Sequence, residues 1–456
     1  MQGTAMNEFY EIPSFLMTHQ KQGIRIAAKY PRWGFWYDTG TGKTLMSLEI
    51  IRMRGGRGLV ICPLGIIENA WMEDIAKFYP DLVPSALNLW KEGRKKGWEK
   101  KLKDANVVIV NFESFKKYRP HLTGFNTVII DESSKIKNHK SAITKQVKAF
   151  CNSGGFNVYL LSGTPAPNNP MEYFSQMSVI DPKMFGTSYF KFRHKYCEQF
   201  GFGGFQWQLK FEKKDEFFQK ISTRSTVVRK HDAIDLPERT DNIIDIVLSA
   251  DEKRHYKAML KDLITEIKEN IISASNAVTK IMKLRQITAG FIIDESGMVE
   301  QVVGSSKLKA LKNLLEEIGD NQAIIWHQFR HEADIIANAL TSGTYGICNG
   351  GVSQAQKDEN IRDFKSGRTQ YLIAHPRTLA HGVTLINCTY AIYFSLSYSH
   401  EEHYQSRDRI YRKGQKNACS YYYLAAGKTI DRVILKALKE KAHMETAVFD
   451  FIRCSA

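Results

Sequence analysis

Residues 38–44 read Asp-Thr-Gly-Thr-Gly-Lys-Thr and follow an apolar stretch that begins at Trp33. Gly40 and Gly42 allow a turn so tight that successive backbone N–H groups point at one place, Lys43 adds a positive charge beside them, and Thr44 adds a hydroxyl. A Gly-Lys-Thr on its own also occurs at ordinary helix starts. The commonest spacing of an anion-binding loop would put glycine at position 37, where this chain has Tyr37.

A second element decides between these readings. Val128-Ile129-Ile130-Asp131-Glu132 is an apolar strand ending in two carboxylates. Either element alone is commonplace, but their occurrence in this order, each beside an apolar run, describes an ATP site. Residues Thr39, Gly40, Thr41, Gly42, Lys43 and Thr44 would surround the phosphates. Thr44 and Asp131 would hold Mg²⁺, and Glu132 would orient or deprotonate the attacking water.

The surrounding pattern predicts an α/β fold. Gly58–Cys62, Val107–Val110, Thr127–Ile130 and Val158–Leu161 are short apolar strands separated by helical patterns, as in a parallel sheet covered on both faces. Ligands bind such sheets at the carboxyl ends of the strands, which here carry Pro63, Asn111, Asp131-Glu132 and Ser162-Gly163-Thr164. Ser162 and Thr164 are candidates to relay the nucleotide state, or simply to stabilise the local turn. Ala323–Trp326, Tyr371–Ala374 and Thr389–Phe394 predict a second parallel sheet. It has no Gly-Lys-Thr of its own, which suits a helper to the first site. Arg409 and Arg412 are three apart, so a continuous helix would put both on one face, where they could clamp a phosphate group.

At 456 residues the chain is too long for one core, and 43% hydrophobic with 25% charged residues is ordinary for a globular protein. The expected division is residues 1–235, with an aromatic and helical protrusion near 185–225, and residues 236–456, with a helical protrusion near 250–290 and a C-terminal helix. Leu236-Pro237 interrupts the periodic pattern between them. A net charge of +16 suits a polyanionic partner. The seven cysteines are scattered without a Cys-x-x-Cys pair, pointing to a reducing compartment and away from disulfides or zinc. With no long apolar run, a soluble intracellular protein without membrane association is expected. Between Tyr189 and Phe218 aromatic and basic residues interleave, which reads more readily as a packed aromatic core than as a base-stacking platform.

Several of these segments together resemble superfamily 2 helicases, and more narrowly the Swi/Snf branch of DNA translocases. They are Gln20, the Gly-Thr-Gly-Lys-Thr loop, Asp131-Glu-Ser-Ser-Lys-Ile-Lys-Asn138, Leu161-Ser-Gly-Thr-Pro165 with Asn168, Val228-Arg229-Lys230, Lys280–Ile287, and Gln405-Ser-Arg-Asp-Arg-Ile-Tyr-Arg-Lys-Gly-Gln415. The resemblance covers about Phe15 to Leu435. It implies two tandem RecA-like parallel-sheet lobes with helical protrusions, ATP and Mg²⁺ as cofactors, and Lys43, Glu132, Arg409 and Arg412 as the catalytic groups.

The same resemblance implies that Gln20 reads the adenine edge and that Gly382 belongs to the nucleotide site. Pro63, Asn111, Lys137, Asn138, Gly350 and His381 would lie toward nucleic acid. His381 and Thr384 stand where the family usually carries Gly and Asn, and Ser134 stands in place of a usual His. The activity implied is translocation on double-stranded DNA by a monomeric motor. A strand-separating helicase acting on DNA or RNA, and a non-hydrolysing nucleic-acid scaffold, are the alternatives. Nothing recognisable precedes Gln20 or follows about Phe451, and so compact a motor points to the cytoplasm of a bacterium or of a virus-infected cell.

Overall fold

The computed structural model describes residues 10–167, 169–200, 206–268, 274–293, 299–301, 305–340, 344–379 and 383–440. The chain divides into two compact units, the first running to Asp235 and the second starting at Leu236. Each is built on a parallel sheet of the RecA-like type.

In the first unit the sheet has seven strands. From edge to edge they are Ala86–Asn88, Val107–Asn111, Gly58–Cys62, Thr127–Asp131, Asn157–Leu161, Arg32–Tyr37 and Ser225–Val228. Every pairing is parallel. Side chains of a strand alternate between faces, so a sheet covered on both sides needs apolar residues at consecutive positions. Leu59, Ile61, Val108, Val110, Val128 and Ile130 enter the core on one face. Val60, Cys62, Val107, Ile109 and Ile129 enter the core on the other. Each such Val, Leu or Ile contributes about 1.5–3 kcal/mol by leaving water, which is why the middles of these runs are apolar and polar residues stand at their ends.

The aromatic segment proves mostly structural. Phe192, Tyr196 and Phe217 are buried and pack with Phe185, whose ring stacks on Phe217 at 5.2 Å. Arg193 lies over Trp207 at 4.1 Å. The protrusion is not purely helical, since Cys197–Phe200 and Gln206–Leu209 form an antiparallel hairpin. Ser225–Val228 then leaves it to become the edge strand of the main sheet.

The second unit carries six parallel strands in the order Arg239–Ile246, Cys419–Ala426, Tyr390–Tyr393, Ala323–Trp326, Tyr371–Ala374, Tyr345–Cys348. The helices Ala250–Lys268 and Ala274–Ala289 form the expected pair. They are fastened to the rest of the unit by buried polar groups. Glu252 accepts hydrogen bonds from Ser249 N and Ser306 N at 2.7 and 2.9 Å. Asp431 accepts from Thr288 Oγ1 and pairs with the buried Lys307 at 2.7 Å. No helix among the described residues is long and apolar enough to cross a membrane. The six cysteines of the described residues are buried and reduced.

Candidate nucleotide site

Three neighbouring strands of the first sheet, Arg32–Tyr37, Asn157–Leu161 and Thr127–Asp131, end side by side. Their carboxyl ends bring together Asp38–Lys43, Ser162–Thr164 and Asp131-Glu132, which are far apart in sequence. Tyr37, where the commonest loop spacing asks for glycine, is the last residue of its strand and pairs in register with Val228. It needs no glycine there.

The turn is made by Gly40 and Gly42, both at positive φ, 81° and 74°. Gly42 is required twice over, because a Cβ would also fall 2.2 Å from Gln20 Nε2. The helix Lys43–Arg54 starts immediately after it and ends before Gly55 and Gly56, again at positive φ. Its first N–H groups lack intrahelical partners, and together with the helix dipole they favour an anion. Thr39 Oγ1 is a buried hydroxyl with no hydrogen-bond partner among the described residues. Lys43 Nζ donates to Tyr37 O and Asp38 O at 2.9 and 3.2 Å, so its charge sits at the mouth of the loop. An orphaned hydroxyl, a lysine and open helix N–H groups fit a phosphate chain.

Gln20, buried in the helix Thr18–Lys29, donates to Gly42 O at 2.8 Å and accepts from Met17 N at 2.8 Å. A ring nitrogen of His19 lies 2.8 Å from Thr41 O. Both side chains therefore brace the loop from behind. Asp38 secures its front: its N–H donates to Val228 O, its carboxylate accepts from Lys230 N at 2.9 Å, and Arg229 lies 3.5 Å away.

Asp131 is buried. Its Oδ2 accepts from the Trp71 indole at 3.0 Å and its Oδ1 from Glu132 N at 3.0 Å. Burial raises its pKa, opposed first by the Lys43 charge and then by the two hydrogen bonds. Each carboxylate oxygen keeps a lone pair for a cation, and Thr44 in the first turn of the helix Lys43–Arg54 carries a hydroxyl, so the two residues are of the chemical types that hold a Mg²⁺ ion. Glu132 stands at φ 54°, a left-handed conformation that a non-glycine residue rarely holds and that concentrates at functional sites. The Ser162–Thr164 turn lies against the phosphate loop, for a Cβ on Gly163 would approach Thr39 N to 3.2 Å. Thr164 N donates to Ser162 Oγ at 3.1 Å, so Ser162 does stabilise the turn.

The arginine motif departs from expectation. The helix His400–Arg407 stops before Arg409, so Arg409 and Arg412 do not share a helix face. Tertiary contacts end it. Tyr421 Oη donates to Arg407 O at 2.6 Å. The Gln415 amide donates to Ile386 O, Cys388 O and Ile410 O while accepting from Lys416 N and Asn417 N. These bonds coil residues 408–415 into a compact turn with Gly414 at φ 98°. Arg409 is buried and its Nε donates to Gln405 O at 2.9 Å. Arg412 is half-buried.

Of the residues expected to face nucleic acid, Asn138 and Gly350 are exposed and Lys137 pairs with Glu172 at 3.5 Å. Pro63 and Asn111 are buried, Asn111 donating to Glu113 at 2.7 Å, and the exposed surface beside Pro63 is Leu64-Gly65. Asn168, His381 and Gly382 lie outside the described residues.

Residues 35–290 match the model of the SNF2-related domain, and residues 306–414 match that of the helicase conserved C-terminal domain. The chain belongs to the SNF2-related family. Protein p41 of the Acyrthosiphon pisum secondary endosymbiont phage 1 is 24% identical over 447 residues, covering 92% of this chain and 95% of the phage protein. The chromodomain-helicase-DNA-binding protein 1-like of Danio rerio is 24% identical over 436 residues, covering 91% of this chain but 41% of that protein. Among solved structures, the Sulfolobus solfataricus SWI2/SNF2 ATPase core in complex with dsDNA is 22% identical, covering 94% of this chain and 92% of that one, with a TM-score of 0.44. The chain thus spans nearly the whole phage protein and less than half of the Danio rerio one.

Within this SNF2-related chain, Trp71 and His19 are the members of the site that the sequence pattern does not announce. Trp71 is one of two buried residues in the helical segment Ile67–Met72, and His19 stands beside Gln20. Only the fold brings them to Asp131 and Thr41.

Proposed function

We propose that the chain is a nucleic-acid-stimulated ATPase that translocates along double-stranded DNA. The observation that carries this reading is the meeting, at three adjacent strand ends, of the phosphate loop, the Asp131-Glu132 pair and the Ser162–Thr164 turn. Lys43 and the loop N–H groups bind the triphosphate, with Thr39, Gly40, Thr41, Gly42 and Thr44 around it and Gln20 bracing the loop. Thr44 and Asp131 would hold Mg²⁺, which would supply the charge that neutralises the phosphate oxygens. Glu132 orients the water that attacks the terminal phosphate and takes up its proton. Arg409 and Arg412 supply the positive charge that offsets the transition state, a contribution of about 10³ to 10⁵ in rate.

Duplex DNA is the proposed partner because a net charge of +16 suits a phosphate backbone and because the family's relatives include DNA-binding proteins by name. Lys137, Asn138, Gly350 and the surface beside Pro63 and Asn111 are the proposed contacts. Backbone contacts position without specifying sequence, so sequence preference is slight and affinity falls steeply between about 50 and 200 mM salt.

The test is ATP hydrolysis titrated with double-stranded DNA, single-stranded DNA and RNA, with triplex displacement run beside strand displacement. Stimulation by duplex and ATP-dependent triplex displacement without strand separation support the reading. Stimulation by RNA alone, or separation of strands, replaces it with a helicase, and absence of hydrolysis replaces it with a scaffold.

A further inference from the structure

The helix Tyr173–Ile180 is buried along most of its length and apolar apart from Ser175, Gln176 and Ser178. A fully buried glutamine is destabilising unless its amide finds partners. Gln176 finds them on both sides. Its Oε1 accepts from Ser133 Oγ at 2.7 Å, and its Nε2 donates to Pro165 O at 2.5 Å and to Glu172 O at 3.1 Å.

Each partner leads somewhere different. Ser133 directly follows Asp131-Glu132. Pro165 ends the Ser162–Pro165 segment, whose Gly163 packs on the backbone of Thr39. Glu172 pairs through its carboxylate with Lys137, 3.5 Å away. One amide thus joins the acidic pair, the turn against the phosphate loop and the residue beside a proposed DNA contact. Ser133 and Gln176 are both fully buried, so water cannot substitute for the bridge.

On the reading of this unit as a DNA-stimulated ATPase, we infer that Gln176 is a positioning residue that couples DNA binding near Lys137 to the placement of Asp131-Glu132. A DNA phosphate that draws Lys137 from Glu172 loosens the Pro170–Glu172 turn. Gln176, bonded to that turn and to Ser133, passes the change to the acidic pair. Gln176 touches no substrate in this scheme. It acts through Ser133.

The experiment uses the full chain and the variants Ser133→Ala, Gln176→Leu and the double variant. It measures melting temperature, duplex affinity, and the ratio of ATP hydrolysis with saturating duplex to hydrolysis without DNA. Both single variants are expected to lower that ratio about tenfold, the size of one buried hydrogen bond expressed as rate, while duplex affinity stays within about twofold. The double variant should be no worse than Gln176→Leu alone, because both changes break one bridge. A residue that only packs would shift the melting temperature and leave the ratio at the parental value. Ser133→Ala removes one oxygen and leaves both Gln176 donors in place, so it carries the test should Gln176→Leu fail to fold. A stimulated parent with folded variants that keep its ratio overturns the coupling role alone. A parent that duplex does not stimulate overturns the proposed function and the coupling role with it.

Discussion

Asp38 accepts the backbone N–H of Lys230 at 2.9 Å across 192 positions of chain, fastening the first residue of the phosphate loop to the segment that leads out of the first unit. The bond is buried and charge-assisted, a type worth about 1.5–3 kcal/mol. Asp38→Ala is therefore expected to destabilise the first unit by about that amount and to raise the KM for ATP roughly tenfold, since the loop loses its front anchor. Asp38→Asn, which keeps an acceptor, should fall between. Denaturant unfolding and ATP titration measure the two effects, and an unchanged KM in Asp38→Ala would show that the loop holds its shape without this tie.

Burial raises the Asp131 pKa, and after the Lys43 charge the Trp71 indole, donating to Oδ2, is what opposes that rise. Trp71→Phe keeps most of the ring's bulk and removes the donor, leaving burial to push the Asp131 pKa higher. Loss of such a partner behind a metal ligand typically costs about 10–100-fold in metal affinity. The Mg²⁺ concentration for half-maximal ATP hydrolysis should rise by at least about tenfold. An unchanged Mg²⁺ dependence would remove Asp131 from the metal site or Trp71 from its support.

In the second unit, Arg407 pairs with both oxygens of Asp241 at 2.7 Å, and Tyr423 adds a third bond to the same carboxylate at 3.0 Å. Arg407 also lies over Tyr421 at 5.0 Å. The pair joins the helix before the arginine motif to the strand that opens the unit. Arg407 and Asp241 keep 19% and 27% of their side chains exposed, so water screens the charge left behind and Arg407→Ala should destabilise by about 1–2 kcal/mol. The double variant with Asp241→Ala should cost clearly less than the sum of the single changes, as read from a double-mutant cycle in denaturant.

Two buried histidines set the acid response of that unit. Burial depresses the pKa of His403 to about 3 and of His327 to about 4, Arg407 adding to the first and His375 to the second. The sign follows from linkage: an unfolded histidine, with a pKa near 6.5, takes up a proton that the folded one refuses. The stability from these two groups is complete above about pH 6.5 and declines as pH falls toward 4, by up to about 1.4 kcal/mol per pH unit for each. Unfolding free energies from pH 7.5 to 5 should show this slope, and His403→Gln should flatten it. A slope unaltered by that substitution would place the acid sensitivity elsewhere.

Most central strands were legible because a strand covered on both faces must be apolar throughout, and Val107–Val110 or Ala323–Trp326 can hardly be read otherwise, but the central Cys419–Ala426, which opens on Cys-Ser and three tyrosines, was not named. The edge strands were not. Ala86–Asn88, Ser225–Val228 and Arg239–Ile246 are short or partly exposed, so their sequences carry polar residues and no continuous run. In the site, the residues proposed to handle phosphate and metal have to be of particular chemical types and stood out, whereas Trp71 and His19 are defined by what they touch. The end of the helix at Arg407 was hidden for the same reason. Arg409 and Arg412 have helical spacing, and only Tyr421 and Gln415, placed by the fold, take the carbonyls and amides that coil the chain instead.

The most direct measurement is steady-state ATP hydrolysis by the parent chain, Lys43→Ala and Glu132→Gln, each with and without duplex DNA. Duplex is expected to stimulate the parent, and Lys43→Ala to be inactive under both conditions. Glu132→Gln is expected to bind ATP but hydrolyse it about 10²–10⁴-fold more slowly. Parental hydrolysis by Glu132→Gln, or a parent indifferent to DNA, would contradict the proposed function.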